Sequence, residues 1–211
     1  MKKLQVNHLF VGFNYTFGAK AAGETKLLAR LAQQHGFLLT VSPPVKQNGM
    51  IVSSSVIRQA LQSGNLQKAN ALLGYAYCFS GQVVKGKQLG RQLGFPTANL
   101  ICPKEKQKPV NGVYRIAATC EGQLYDGVAN IGKQPTISDH EQYFLEAHLF
   151  DTNEDFYGKL LWVWLLDFIR PEQKFADVVH LQKQISQDKK TAKALMEKRP
   201  VDRNLLLPKP F

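Results

Sequence analysis

At 211 residues, with 44% hydrophobic and 20% charged side chains, the chain has the balance of a globular protein of one large or two small domains. No apolar run nears the roughly 18 residues of a membrane span, and the start, Met1-Lys2-Lys3-Leu4-Gln5-Val6-Asn7-His8, lacks the apolar stretch of a secretion signal, so a cytoplasmic location without membrane association is expected. The net charge of +11 favours anionic partners, phosphates or nucleic acid, without choosing between them, and Cys78, Cys102 and Cys120 fit neither a disulfide framework nor a Cys-x-x-Cys metal site.

In chain order, residues 9–13 predict a strand, residues 24–35 a helix stopped by Gly36, and residues 37–41 a strand ended by Pro43-Pro44. A helix opened by Ser53-Ser54-Ser55 follows, then another over residues 66–73 with Asn65 as N-cap and Gly74 as stop. This β/α order fits part of a parallel α/β layer. Two strands alone leave such a layer with an open edge, so residues 1–75 are expected to need cover from the rest of the chain or to associate into an oligomer.

From residue 79 the pattern turns to strands at 79–84, 112–120, 124–131, 142–150 and 160–169, with Glu121-Gly122 as a hairpin tip. Strands at this spacing without helices between them predict a small antiparallel barrel, with Trp162 and Trp164 facing its core. The chain becomes helical from Phe175, where Phe175, Val178, Leu181 and Ile185 recur at helical spacing and offer one apolar face to the barrel. The lysines of residues 183–198 read as a solvated helix face, and residues 201–211 form a tail, apolar from Leu205, with no role derivable from the sequence.

The chemistry-bearing residues concentrate in residues 81–99. Gly81, Lys85, Gly86, Gly90 and Arg91 combine glycines that let backbone N–H groups approach an anion with cations that neutralise it, which suits phosphate, although a plain hairpin loop has the same composition. After Pro96, the extended Thr97-Ala98-Asn99 turns a hydroxyl and an amide oxygen the same way, a pair able to serve Mg²⁺ beside a phosphate or simply to cap a turn. Glu146 sits among aromatic and aliphatic residues in Phe144-Leu145-Glu146-Ala147-His148, where partial desolvation raises a carboxylate toward general-base duty. The alternative is a surface glutamate. His148 reads as a packing or orienting residue.

Residues 90–99, Asn130-Ile131-Gly132-Lys133-Gln134-Pro135-Thr136, Glu146-Ala147-His148, Asp155-Phe156-Tyr157-Gly158 and Arg170-Pro171-Glu172 with Phe175 together resemble the riboflavin kinase family over roughly residues 76–195. The resemblance implies a six-stranded antiparallel barrel with a C-terminal helix over residues 76–200. It also implies Mg·ATP held at Pro96, Thr97 and Asn99, Glu146 as base toward the ribityl 5′-hydroxyl of riboflavin, and a flavin pocket at Arg170, Glu172 and Phe175, with FMN and ADP as products.

The front segment, through Gly12-Phe13-Asn14-Tyr15-Thr16-Phe17-Gly18 and Ser53-Ser54-Ser55-Val56-Ile57-Arg58, resembles the back of the FMN adenylyltransferase domain of bacterial bifunctional FAD synthetases, a nucleotidyltransferase-like, Rossmann-like fold. By that likeness Ser53, Ser54, Ser55 and Arg58 are a vestigial phosphate site. Asn14 stands where that family usually carries Asp. The histidines at 8, 35, 140, 148 and 180 never form the family's His-x-x-His pattern, so kinase activity without FAD synthesis is expected. A basic RNA- or partner-binding barrel is the alternative, disfavoured because no aromatic-rich strand is interleaved with Lys and Arg.

Overall fold

The computed structural model describes residues 6–86, 90, 93–134 and 142–207. They form two compact units, Met1–Val52 and Ser53–Phe211.

In the first unit β1 (His8–Gly12) pairs in parallel with β4 (Leu38–Ser42), and α1 (Thr25–His35) connects them. Leu28 and Ala32 of α1 and Phe37 pack against Leu9, Val11 and Leu39, the alternate residues of the two strands, so the helix covers one face of the pair. The other face carries Phe10 and Leu38, 70% and 66% exposed. Two small ladders, β2 (Thr16–Phe17) with β3 (Gly23–Glu24) and β5 (Lys46–Gln47) with β6 (Met50–Ile51), complete the unit.

The second unit opens with α2 (Ser54–Gln62) and α3 (Leu66–Leu73), N-capped by the side chains of Ser53 and Asn65. Six strands follow: β7 (Cys78–Gln82), β8 (Ala98–Ile101), β9 (Gly112–Cys120), β10 (Gln123–Gln134), β11 (Gln142–Leu149) and β12 (Leu160–Pro171). They pair in the order β7-β12-β9-β10-β11-β8, every pairing antiparallel. Just past β7, the Val84 N–H donates to the Asn99 carbonyl of β8 at 2.8 Å and draws the sheet into a nearly closed barrel. The expected hairpin tip at Glu121-Gly122 has both residues at positive φ, the conformation of a two-residue hairpin turn.

Inward-facing alternate residues fill the barrel: Phe79, Leu100, Tyr114, Ile116, Ile131, Leu145, Leu161, Val163 and Leu165 are buried in one cluster that also takes Ala60 and Leu61 of α2 and Leu66 and Ala69 of α3. Each large side chain removed from water in this way contributes about 1.5–3 kcal/mol.

Trp162 and Trp164 depart from expectation. They alternate with Leu161, Val163 and Leu165 and therefore face away from the interior; Trp164 is fully buried all the same, because the C-terminal segment lies over it. The Trp164 indole N–H donates to the Leu207 carbonyl at 3.1 Å, and the Ala76 N–H to that of Leu205 at 2.8 Å. The described part of the apolar tail thus roofs the outer wall of the barrel.

The last helix, α4 (Val178–Lys198), begins three residues later than the apolar spacing suggested. The Asp177 side chain accepts from the His180 N–H at 2.9 Å and caps it there, and Val178 is left exposed. Two carboxylates fasten this helix to the barrel. Asp188 takes a forked contact from Arg170 of β12 at 2.7–3.1 Å, and Asp167 binds Arg115 on the neighbouring strand at 2.6 Å, Gln67 of α3 at 2.7 Å and Arg199 beyond α4 at 2.9 Å. Asp167 and Arg115 lie directly opposite each other in the β9–β12 ladder, after an irregularity that follows Leu165.

The Asp167→Asn variant leaves the buried Arg115 guanidinium without its counter-charge. It is expected to destabilise the second unit by about 3–5 kcal/mol, read as a lower urea midpoint at unchanged slope.

Candidate active site

The site grows from one ladder row. Antiparallel register sets Glu146 of β11 opposite Asn130 of β10 on one side and Asn99 of β8 on the other. Their neighbours Ile131, Leu145 and Leu100 point into the barrel, so alternation turns all three polar side chains outward. Glu146 is half-buried and Asn99 only 5% exposed.

Asn99 is held by its own strand. Its side-chain N–H donates to the Thr97 carbonyl at 3.3 Å and lies 3.5 Å from Thr97 Oγ1, so the Thr97 hydroxyl and the Asn99 amide are neighbours, with the amide nitrogen rather than its oxygen turned to the hydroxyl. Gly86 makes room for them: a Cβ there would stand 2.6–2.8 Å from the Asn99 amide. Gly90 is equally constrained. Its carbonyl accepts from the N–H groups of Leu93 and Phe95, and a Cβ would lie 2.4 Å from the Phe95 carbonyl oxygen. This compact turn delivers Pro96, whose carbonyl accepts from His148 Nδ1 at 2.9 Å. Burial pulls the His148 pKa below its usual value and keeps the ring neutral.

Two cavities meet at Thr97, which lines both. The first, about 370 Å³, opens between Val83, Pro96, Thr97 and Asn99 and residues 152–157. The second, about 300 Å³, lies between the outer face of the barrel at Val128, Asn130, Glu146 and His148, the turn at Gly90 and Phe95, the segment from Arg170 to Phe175, and Leu181 and Ile185 of α4.

The chemistry of the two differs. In the second, Glu172 is oriented by N–H donation from Asn130 at 3.0 Å and Asn111 at 3.2 Å. Glu146 and Glu172, with Asp188 neutralised by Arg170, stand among aliphatic and aromatic walls and suit a flat, uncharged, hydroxyl-bearing molecule. The first presents the Thr97 hydroxyl and the Asn99 amide, with the carboxylates of Glu154 and Asp155 also in its lining. Among the described residues no three His, Cys, Asp or Glu converge as a metal cage; two neutral hard oxygens fit instead a divalent cation that draws its other ligands from phosphate and water.

Not every residue singled out from the sequence lies at these cavities. Pro96, Thr97 and Asn99 line the first, and Glu146, Arg170, Glu172, Phe175 and Gly90 the second. Gly81 is a strand residue of β7 paired with Leu161, Lys85 is exposed and lines neither cavity, and Arg91 lies outside the described residues. Arg170 is committed to Asp188, so at the second cavity it braces α4. Ser53 caps α2, with Ser54, Ser55 and Arg58 exposed along that helix. Asn130, His148, Asp188 and residues 152–157 line the cavities without having been singled out as site residues. The motifs around 130 and 155 carried the signal for two of these groups, whereas the Asp188 contact with Arg170 has none in sequence.

The riboflavin kinase family model matches residues 73–196, and the FAD synthetase model matches residues 1–56. The chain belongs to the riboflavin kinase family. It is 42% identical over 195 residues to the bifunctional riboflavin kinase/FMN adenylyltransferase of Escherichia coli K12, covering 92% of this chain and 61% of that protein. Against the Bacillus subtilis protein of the same name the figures are 38% identity, 90% and 60%. The chain therefore spans about three fifths of the length of these relatives. A crystal structure described as a macrolide-efflux protein from Streptococcus pneumoniae superposes with a TM-score of 0.76 at 34% identity, over 91% of this chain and 62% of that one. Among the described residues of the present chain, no helix is long and apolar enough to cross a membrane.

Because a methyl group at position 86 would press on the Asn99 amide, Gly86→Ala is expected to destabilise the second unit by about 1–3 kcal/mol, read as a lower urea midpoint at unchanged slope.

Proposed function

We propose that this chain is an ATP-dependent riboflavin kinase that transfers the γ-phosphoryl group of ATP to the 5′-hydroxyl of riboflavin, giving FMN and ADP. The observation that carries the reading is the ladder row itself: a carboxylate, Glu146, set directly opposite Asn99, with Thr97 beside Asn99 at the junction of the two cavities.

Phosphoryl transfer asks a protein chiefly for alignment and for charge stabilisation. Riboflavin fits the second cavity, its ring system against Val128, Phe175, Leu181 and Ile185 and its ribityl chain toward Glu146. The nucleotide phosphates occupy the first, beside Pro96 and Thr97. Thr97 Oγ1 and the Asn99 side-chain amide would hold Mg²⁺, which would offset the negative charge that develops during the transfer. Glu146 accepts a hydrogen bond from the 5′-hydroxyl, orients its lone pair toward the γ-phosphorus, and takes the proton as the new O–P bond forms and the bond to ADP breaks. The helix α4, pinned through Asp188, keeps water from the apolar side of the flavin. Residues 1–56 enter no step of this scheme. Three buried thiols, with burial pushing Cys102 up to about 11, suit the reducing cytoplasm.

Replacing Glu146 with Gln preserves shape and removes the proton acceptor. A 10²–10⁴-fold fall in the rate of FMN formation is expected, with riboflavin and Mg·ATP affinities within a few-fold of the parent; undiminished turnover in this variant contradicts the assignment.

A further inference from the structure

His148 stands two residues beyond Glu146 on the same outward face of β11, is 8% exposed, and lines the second cavity. A carbonyl can only accept, so the 2.9 Å contact with Pro96 puts the ring proton on Nδ1 and leaves a lone pair on Nε2. That nitrogen is buried and has no hydrogen-bond partner among the described residues. Phe95 and Phe150 flank the ring edge to face, at centroid distances of 5.5 and 5.8 Å. They offer it no polar atom. A buried acceptor of this kind costs stability unless a ligand pairs with it.

We infer that His148 Nε2 accepts a hydrogen bond from a secondary hydroxyl of the ribityl chain and thereby fixes which hydroxyl reaches Glu146. The inference rests on the flavin-kinase reading above. Side chains two apart along a strand stand about 6.7 Å from each other, a span that a five-carbon polyol covers between its terminal hydroxyl and one nearer the ring. The Pro96 contact holds the imidazole in one tautomer, so Nε2 is always an acceptor. A site built this way discriminates against chains lacking the matching hydroxyl, because the nitrogen is then left unpaired.

Two variants separate the halves of the imidazole. His148→Asn sets an amide N–H near the position of Nδ1, keeping the Pro96 contact and deleting Nε2; His148→Gln sets a carbonyl oxygen near the position of Nε2. Riboflavin and its 2′-, 3′- and 4′-deoxy analogues are titrated by flavin fluorescence against the full chain and both variants, alongside the KM for Mg·ATP. The parent is expected to bind one of the three analogues about tenfold more weakly than riboflavin. His148→Asn should bind that analogue and riboflavin alike with an unchanged KM for Mg·ATP, and His148→Gln should recover the preference. Equal penalties in the parent and in His148→Asn, or a raised KM for Mg·ATP with flavin discrimination intact, overturn the inference and leave His148 as a prop for Pro96. Failure of the parent itself to bind riboflavin removes the flavin reading, and is told apart by appearing before any substitution.

Discussion

The pairing of β8 with β11 is the constraint on which the proposed chemistry depends. It puts Asn99 opposite Glu146 and so fixes the separation between the proposed metal ligand and the proposed proton acceptor by backbone geometry. A slip of one residue would turn Glu146 into the barrel and Leu145 out of it, losing the base and the core together. The same register is protected from the other side, since Asn130 on β10 aligns with Glu146 and the Val84–Asn99 bridge closes the sheet against β8. Catalytic placement and barrel closure are one arrangement.

A barrel alone would leave the second cavity without an outer wall. That wall is α4, which is not held by apolar packing alone: its buried positions are Asp188 and Ala192. The forked Arg170–Asp188 pair and the Asp167 cluster supply the attachment. Charge pairs of this kind contribute little net stability against an apolar substitute, but breaking them is costly, so they fix position more than they add strength. They set where Leu181 and Ile185 face the cavity, as does the cap at Asp177.

Period-two alternation made five of the six barrel strands legible, while β8 was readable only as an extended segment after Pro96, and the i, i+2 spacing of Thr97 and Asn99 anticipated that the two side chains are neighbours. The cap at Asp177 was also in the sequence, but the apolar spacing that begins at Phe175 masked it; Phe175 turns into the cavity instead of entering the helix. The two tryptophans show a different limit. Alternation shows that they share a face but not which face is inside, and here the outer face is also buried because residues 201–207 return over it. His148 and Asn130 stayed hidden as site residues because their roles come from partners far away in sequence, Pro96 and Glu172, which only the ladder brings near. Asp188 was lost among the lysines of an apparently solvated helix.

The proposed reaction joins phosphate to riboflavin. The direct measurement is to incubate it with riboflavin, ATP and Mg²⁺ and to separate the flavins chromatographically while following ADP. FMN and ADP appearing in equal amounts, and only with the metal present, is the predicted result. Riboflavin recovered unchanged by a folded chain would contradict it.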